Sequence, residues 1–197
     1  MAAYGDRPHS NKLWEMIGMF LIPFVYVAAV YTILYLLVRA AVSIRNKRID
    51  WKREGLHVLM YINLLVILYF TFSPLLLNYV EIFNCRINLL PFVYLTDYEN
   101  RTHMIMNIFG NILMFVPSGI ILPILYKRLD NFFKVVGTGF LMSLAIEILQ
   151  LPFVERTSDV DDLIMNTLGV ATGYILFMIA RYAFSLKRQA GVKTTST

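Results

Sequence analysis

The chain has 197 residues, of which 58% are hydrophobic and only 16% charged, with a mean hydropathy of +0.61. Because soluble domains average about a quarter charged residues, this composition excludes a water-soluble globule, and it also excludes a disordered or collagen-like chain. The net charge of +5 does not indicate nucleic-acid binding, since membrane proteins retain Lys and Arg in their cytoplasmic loops. One cysteine and three scattered histidines provide neither a disulfide nor metal-ligand spacing, so we expect no metal and no cofactor.

Five apolar stretches are long enough to cross a bilayer as helices, which requires about 20 residues each. They cover residues 13–42, 56–77, 103–126, 132–151 and 163–184. We therefore predict an all-α, polytopic membrane protein with five transmembrane helices in a single bundle. The expected organisation is a short extracytoplasmic tail at 1–12, a membrane domain at 13–186 and a flexible cytoplasmic tail at 187–197.

The distribution of charge predicts the orientation of these spans. The segments after spans one, three and five, together with the adjoining span ends, carry 13 of the 18 basic residues, whereas the segments and span ends on the other side carry five basic residues and nine acids. Because Lys and Arg are enriched in cytoplasmic loops, we expect the N-terminus outside and the C-terminus in the cytoplasm.

Apart from Glu15 at the very start of the first stretch, Glu147 is the only acid inside a predicted span. A carboxylate within a membrane is costly, so it normally faces other protein groups or a water-filled cavity. Ser143 and Gln150 lie four residues before it and three after it, which places all three on one face of the fourth helix. A purely structural carboxyl and a member of a functional site are both consistent with this pattern.

The third and fifth spans carry further polar residues at the same predicted depth. Asn107 and Asn111 lie in the outer half of span three, while Asp162 and Asn166 lie at the outer start of span five. Separately, these amides are typical of hydrogen bonds between helices. Together with Glu147, they lie within about two helical turns of the outer boundary, which favours one shared polar site.

The loop between spans four and five lies next to this predicted site. It contains Arg156, which could pair with a protein carboxylate or hold an anionic ligand group. Asp159 could belong to the site, or it could simply begin the fifth helix, as Ser158 also could. In the fifth span, Gly169 and Gly173 have the small-xxx-small spacing of a close helix contact.

These residues, in this order, resemble the VanZ-like membrane proteins. The resemblance rests on four pieces: Asn88-Leu-Leu-Pro-Phe92, Asn111-Ile-Leu-Met-Phe-Val-Pro117-Ser-Gly119, Ser143-x3-Glu147-x2-Gln150, and Arg156-x2-Asp159-x-Asp161-Asp162-x3-Asn166-x2-Gly169-x3-Gly173. It covers a core at about 88–179. One departure is Ser118, where the family usually has a bulky apolar residue. The resemblance implies a multi-pass protein of the bacterial cell membrane, linked to lowered susceptibility to the glycopeptide antibiotic teicoplanin, and it brings no agreed biochemical mechanism.

Three functional hypotheses follow. The favoured one is recognition of a cell-envelope lipid head group, a cell-wall precursor or a lipoglycopeptide, with membrane lipids as the surrounding partners. Its expected ligand-binding residues are Asn107, Asn111, Glu147, Gln150, Arg156, Asp159, Asp162 and Asn166. The alternative is an intramembrane enzyme in which Glu147 acts as general acid or base beside Asp159 or Asp162. A small transporter is the third, although five spans without an internal repeat offer little to move against one another.

Overall fold

The computed structural model describes residues 9–45, 50–72, 86–91, 101–151 and 157–194. In chain order the elements are α1 (His9–Arg45), α2 (Trp51–Phe72), β1 (Arg86–Asn88), α3 (Arg101–Leu125), a 3-10 helix (Lys127–Leu129), α4 (Phe132–Gln150), β2 (Thr157–Asp159) and α5 (Val160–Thr194). All five α-helices are long and apolar enough to cross a membrane, which confirms the predicted all-α membrane fold and its five spans.

Helices α1 and α5 extend beyond both ends of the predicted apolar stretches. Helix α1 begins at His9, and α5 continues to Thr194, ten residues past the predicted end of the fifth span. Hydropathy marks the part of a helix that suits hydrocarbon, whereas backbone hydrogen bonding continues into the polar flanks. The division into two tails and a membrane domain stays a prediction.

The starts of α2 and α4 have side-chain caps. Asp50 Oδ1 accepts hydrogen bonds from the backbone N–H groups of Lys52 and Arg53, at 3.1 and 3.4 Å, at the start of α2. Asn131 Oδ1 similarly accepts from Phe133 and Lys134, at 3.1 and 3.4 Å, at the start of α4. Such caps satisfy backbone donors that have no partner in the first helical turn, and here they help to set where two spans enter the membrane.

The best-buried part of the bundle is formed by α3, α4 and α5, with α2 packed on α3. Its core contains Ile67 of α2, Phe115 and Leu122 of α3, Val135 of α4 and Val170 of α5. Helix α1 lies outside this core and contacts α2. None of its spanning window is buried, so its apolar side chains suit contact with lipid.

Helices α3 and α5 approach each other most closely at glycines. A Cβ atom built at Gly169 would lie 2.3 Å from the carbonyl oxygen of Ile112, and one built at Gly173 would lie 2.1 Å from that of Val116. The predicted close helix contact of these two glycines is therefore confirmed. Gly119 of α3 faces them, and a Cβ there would lie 2.1 Å from the carbonyl oxygen of Val170.

A short parallel pair of strands adds to the helical fold. Strand β1 pairs with β2 in the register Arg86↔Thr157, Ile87↔Ser158 and Asn88↔Asp159. The sequence did not predict this pair, because three-residue strands produce no hydropathy signal. The pairing brings Asn88, which precedes α3, next to the start of α5.

Candidate functional site

The polar residues predicted to share a depth converge on one cavity of about 400 Å³, here called the polar cavity. It lies among the end of α2, the first half of α3, the end of α4 and the start of α5. Six of the eight predicted site residues line it: Asn107, Asn111, Glu147, Gln150, Asp162 and Asn166. Apolar side chains such as Phe70, Met106 and Phe115 complete the lining.

Helices α3 and α5 are joined at the cavity by a hydrogen bond between side chains. Asn111 Nδ2 donates to Asp162 Oδ1 at 2.6 Å. It therefore holds the start of α5 against the middle of α3. Asn107 lies one turn earlier on α3, is exposed, and also lines the cavity.

Glu147 is only 5% exposed, and its carboxylate receives a backbone hydrogen bond. Glu147 Oε2 accepts from the N–H of Asp159 at 3.2 Å. The last residue of β2 is thereby fixed to α4. Since Glu147 also lines the polar cavity, the same side chain has a structural contact and a surface that a ligand can reach.

Gln150 and Asn166 connect further helices around the cavity. Gln150 Nε2 donates to the carbonyl oxygen of Thr71 at 3.2 Å, which links α4 to α2. Asn166 Nδ2 donates to Ser143 Oγ at 2.9 Å, which links α5 to α4. The face predicted from Ser143, Glu147 and Gln150 is thus one buried polar face of α4.

The amide oxygen of Asn166 differs from these groups. It is buried, and within the described residues it has no hydrogen-bond partner. A buried polar atom that lacks a partner costs about 1–3 kcal/mol. Asn166 is one of the residues that line the polar cavity, so this buried acceptor belongs to a side chain that a bound molecule would meet.

Of the two other predicted site residues, the structure describes only Asp159. Asp159 does not line the polar cavity: its Oδ1 accepts from Asn88 Nδ2 at 3.1 Å and from the N–H of Asp161 at 3.0 Å. Its carboxylate thus holds β1 beside the start of α5. Arg156 lies outside the described residues, so its expected place beside Glu147 and Asp162 stays a prediction.

Several polar contacts were not singled out from the sequence. Asn63 of α2, only 7% exposed, donates through Nδ2 to the carbonyl oxygen of Met114 at 2.9 Å and accepts from Ser118 Oγ at 2.6 Å. Ser118 is therefore used in a contact between α2 and α3. The lone amide of Asn63 inside an apolar span was the available signal.

The lining defines the chemistry available in the polar cavity. Amides can both donate and accept hydrogen bonds, and the carboxylates of Glu147 and Asp162 accept them or take part in proton transfer. In the part of the chain that the structure describes, no group of three or more His, Cys, Asp or Glu side chains is arranged to hold a metal ion. The arrangement suits recognition of a polar head group within otherwise apolar surroundings.

Comparison with known proteins gives two matches. A family model described as VanZ/LLP1 matches residues 59–181, a range that begins earlier than the core expected from the sequence and includes every lining residue of the polar cavity. Protein VanZ of Enterococcus faecium is 27% identical over 133 residues, which is 66% of this chain and 78% of that protein. No solved structure matches the chain.

Proposed function

This chain belongs to the VanZ/LLP1 family, and from that membership and the polar cavity we propose that it binds a head group carried by a cell-envelope lipid or a lipoglycopeptide. The family assignment confirms the resemblance seen in the sequence, and the five apolar helices make the chain a multi-pass membrane protein. We further propose that binding lowers susceptibility to teicoplanin-type antibiotics, as the resemblance implies.

The unpartnered amide oxygen of Asn166 carries this proposal. Buried amides in membrane helices normally find partners on neighbouring helices. The Nδ2 group of Asn166 does so with Ser143, but its Oδ1 atom is buried and has no partner among the described residues, and the residue is one of those that line the polar cavity. A hydroxyl or amine of the ligand would satisfy it. Cell-wall precursors and lipoglycopeptides are rich in both groups.

The basic residues favour an outer-leaflet location for this site. The polar cavity lies at the end of the bundle away from the cation-rich loops, and positively charged loops are typical of the cytoplasmic side. We therefore propose a bacterial cell-membrane protein with its N-terminus outside and its C-terminus in the cytoplasm. In this orientation the cavity would receive ligands from the outer leaflet.

The test compares two buried asparagines. Asn166→Leu removes the amide at the cavity, whereas Asn63→Leu removes an equally buried amide that does not line it. Each variant is reconstituted in lipid nanodiscs, and binding of teicoplanin and of an undecaprenyl-linked cell-wall precursor is measured per folded protein. We expect Asn166→Leu to weaken binding by about fivefold or more, because each lost buried hydrogen bond costs about 1–3 kcal/mol.

The control and the cellular assay complete this test. Asn63→Leu is expected to reduce the amount of folded protein while leaving the affinity of the folded fraction unchanged. In a teicoplanin-susceptible Gram-positive host, the wild type should raise the inhibitory concentration of teicoplanin and Asn166→Leu should not. Equal affinities for the wild type and Asn166→Leu would contradict the proposal.

A second candidate function is intramembrane catalysis, favoured by the presence of two carboxylates, Glu147 and Asp162, in one cavity. Glu147→Gln distinguishes it. The glutamine oxygen can still accept the hydrogen bond from the N–H of Asp159 but cannot exchange a proton as a carboxylate does. Turnover of the lipid-linked precursor by the wild type, lost in Glu147→Gln while binding persists, would establish the enzyme.

A further inference from the structure

A groove distinct from the polar cavity lies at the opposite end of the bundle. It has a volume of about 900 Å³ and lies between the start of α2 and the end of α3, continuing onto the 3-10 helix. Four cations line it, Lys52, Arg53, Lys127 and Arg128, and we call it the basic groove. Arg53 and Thr71 are 18 residues apart on α2, so the basic groove and the polar cavity are separated by about 27 Å along the helix.

The positive charge of the basic groove is not neutralised by the carboxylates around it. Asp50, the one acid in its lining, accepts hydrogen bonds from backbone N–H groups as the cap of α2. The two nearest other acids have partners elsewhere, since Glu54 pairs with Arg39 and Asp130 pairs with Arg181. Among the described residues, none of the four groove cations forms an ion pair within 4 Å.

The surface between the cations is apolar. Leu56, Ile124 and Leu125 form part of the groove wall, and Leu125 is only 4% exposed. Tyr126, which also lines the groove, is 45% exposed, and Trp51, between the lining residues Asp50 and Lys52 in the chain, is 80% exposed. Exposed Trp and Tyr at helix ends are typical of the membrane–water interface, so the groove lies at the depth of lipid head groups.

From these features we infer that the basic groove binds an anionic phospholipid of the adjacent leaflet. The lipid phosphate contacts the four cations, and an acyl chain lies along the apolar wall. A soluble anion would match the cations alone, whereas a phospholipid also matches the apolar wall and the interfacial depth. Basic pockets between transmembrane helices bind lipid head groups by the same chemistry. This site is separate from the one proposed for the polar cavity.

The experiment uses Trp51 as a reporter of lipid contact. The chain has two tryptophans, so Trp14→Phe leaves Trp51 as the single tryptophan. This parent protein is reconstituted in phosphatidylcholine vesicles that contain either brominated phosphatidylglycerol or brominated phosphatidylcholine, and quenching yields their relative affinities. We expect a preference for phosphatidylglycerol of about fivefold or more, the effect of roughly one contacting cation.

A matched pair of double variants distinguishes the contribution of the groove cations to the lipid preference from that of general surface charge. Lys127→Gln with Arg128→Gln removes two groove cations, whereas Lys187→Gln with Arg188→Gln removes the same charge from the exposed end of α5, at the same end of the bundle. We expect the first variant to lose most of the preference and the second to retain it. Lys52→Gln, on the other side of the groove, is the second groove variant if the first does not fold.

Three outcomes would overturn this assignment. Equal quenching by the two brominated lipids would show that the groove has no preference for an anionic head group. An equal loss in both double variants would assign the preference to net surface charge. Relief of phosphatidylglycerol quenching by millimolar inorganic phosphate, at constant ionic strength, would identify a soluble-anion site instead of a lipid site.

Discussion

Replacing Gly173 with alanine is expected to force α3 and α5 apart. A Cβ atom at this position would lie 2.1 Å from the carbonyl oxygen of Val116 and 3.0 Å from the Cα atom of Gly119. Both are backbone atoms, so neither can be relieved by a side-chain rotation. The substitution therefore tests whether glycine is required for the close contact between these helices.

The expected loss of stability follows from the extra distance that must open between α3 and α5. Ordinary contacts of a Cβ atom begin at 3.4 Å, so the helices must separate locally by about 1.3 Å from the present 2.1 Å. Overpacking a well-packed interior typically costs 1–3 kcal/mol. We expect Gly173→Ala to lower the free energy of unfolding by about 2–3 kcal/mol, because the same separation loosens the buried contacts of Phe115 and Val170.

Gly137→Ala is the matched control, because a Cβ there has nothing within 4 Å. Alanine favours a helix over glycine by about 1 kcal/mol in water, so this variant should be at least as stable as the wild type. The free energy of unfolding is measured in bicelles by steric trapping or by denaturation with SDS. If Gly173→Ala proves as stable as Gly137→Ala, the close approach of α3 and α5 does not depend on glycine.

Two further predictions concern orientation and a buried polar contact. In a Cys85→Ser background, single cysteines introduced by Lys52→Cys and Lys187→Cys should react with an impermeant maleimide only after the cells are permeabilised; labelling of intact cells at both would reverse the orientation. Ser118→Ala should lower the free energy of unfolding by about 1 kcal/mol, and Asn63→Ala by more, because Asn63 also donates to a carbonyl of α3. In the same bicelle assay, strictly additive losses in the double variant would contradict a direct contact between the two side chains.

The spans and their polar residues were predictable to different degrees. Each of the five predicted stretches contains most of a membrane-length helix, because the thickness of hydrocarbon imposes a minimum apolar length. The shared depth of Asn111, Glu147 and Asp162 followed from counting residues along alternating spans. Depth does not specify rotation about the helix axis, so the pairing of Asn111 with Asp162 could not be predicted.

For residues near the site, too, the sequence predicted some properties and not others. Asp159 was a candidate ligand-binding residue or a helix start, and the structure has its carboxylate bonded to Asn88 and to the first turn of α5. That contact depends on the parallel pairing of β1 with β2, between residues about 70 positions apart. Neither three-residue strand has a pattern of its own, so only the folded chain reveals their pairing.

The amino-acid sequence was enough to predict a five-span membrane protein of a recognisable family, with polar groups toward one end of the bundle and cations toward the other. Those properties follow from composition, apolar length and loop charge, which are local or additive along the chain. Two features became visible only in the folded chain: among the described residues Asn166 Oδ1 has no hydrogen-bond partner although the residue lines the polar cavity, and four cations border a groove with an apolar wall. Both depend on how helices rotate and pack, and packing of this kind is a property of several segments at once.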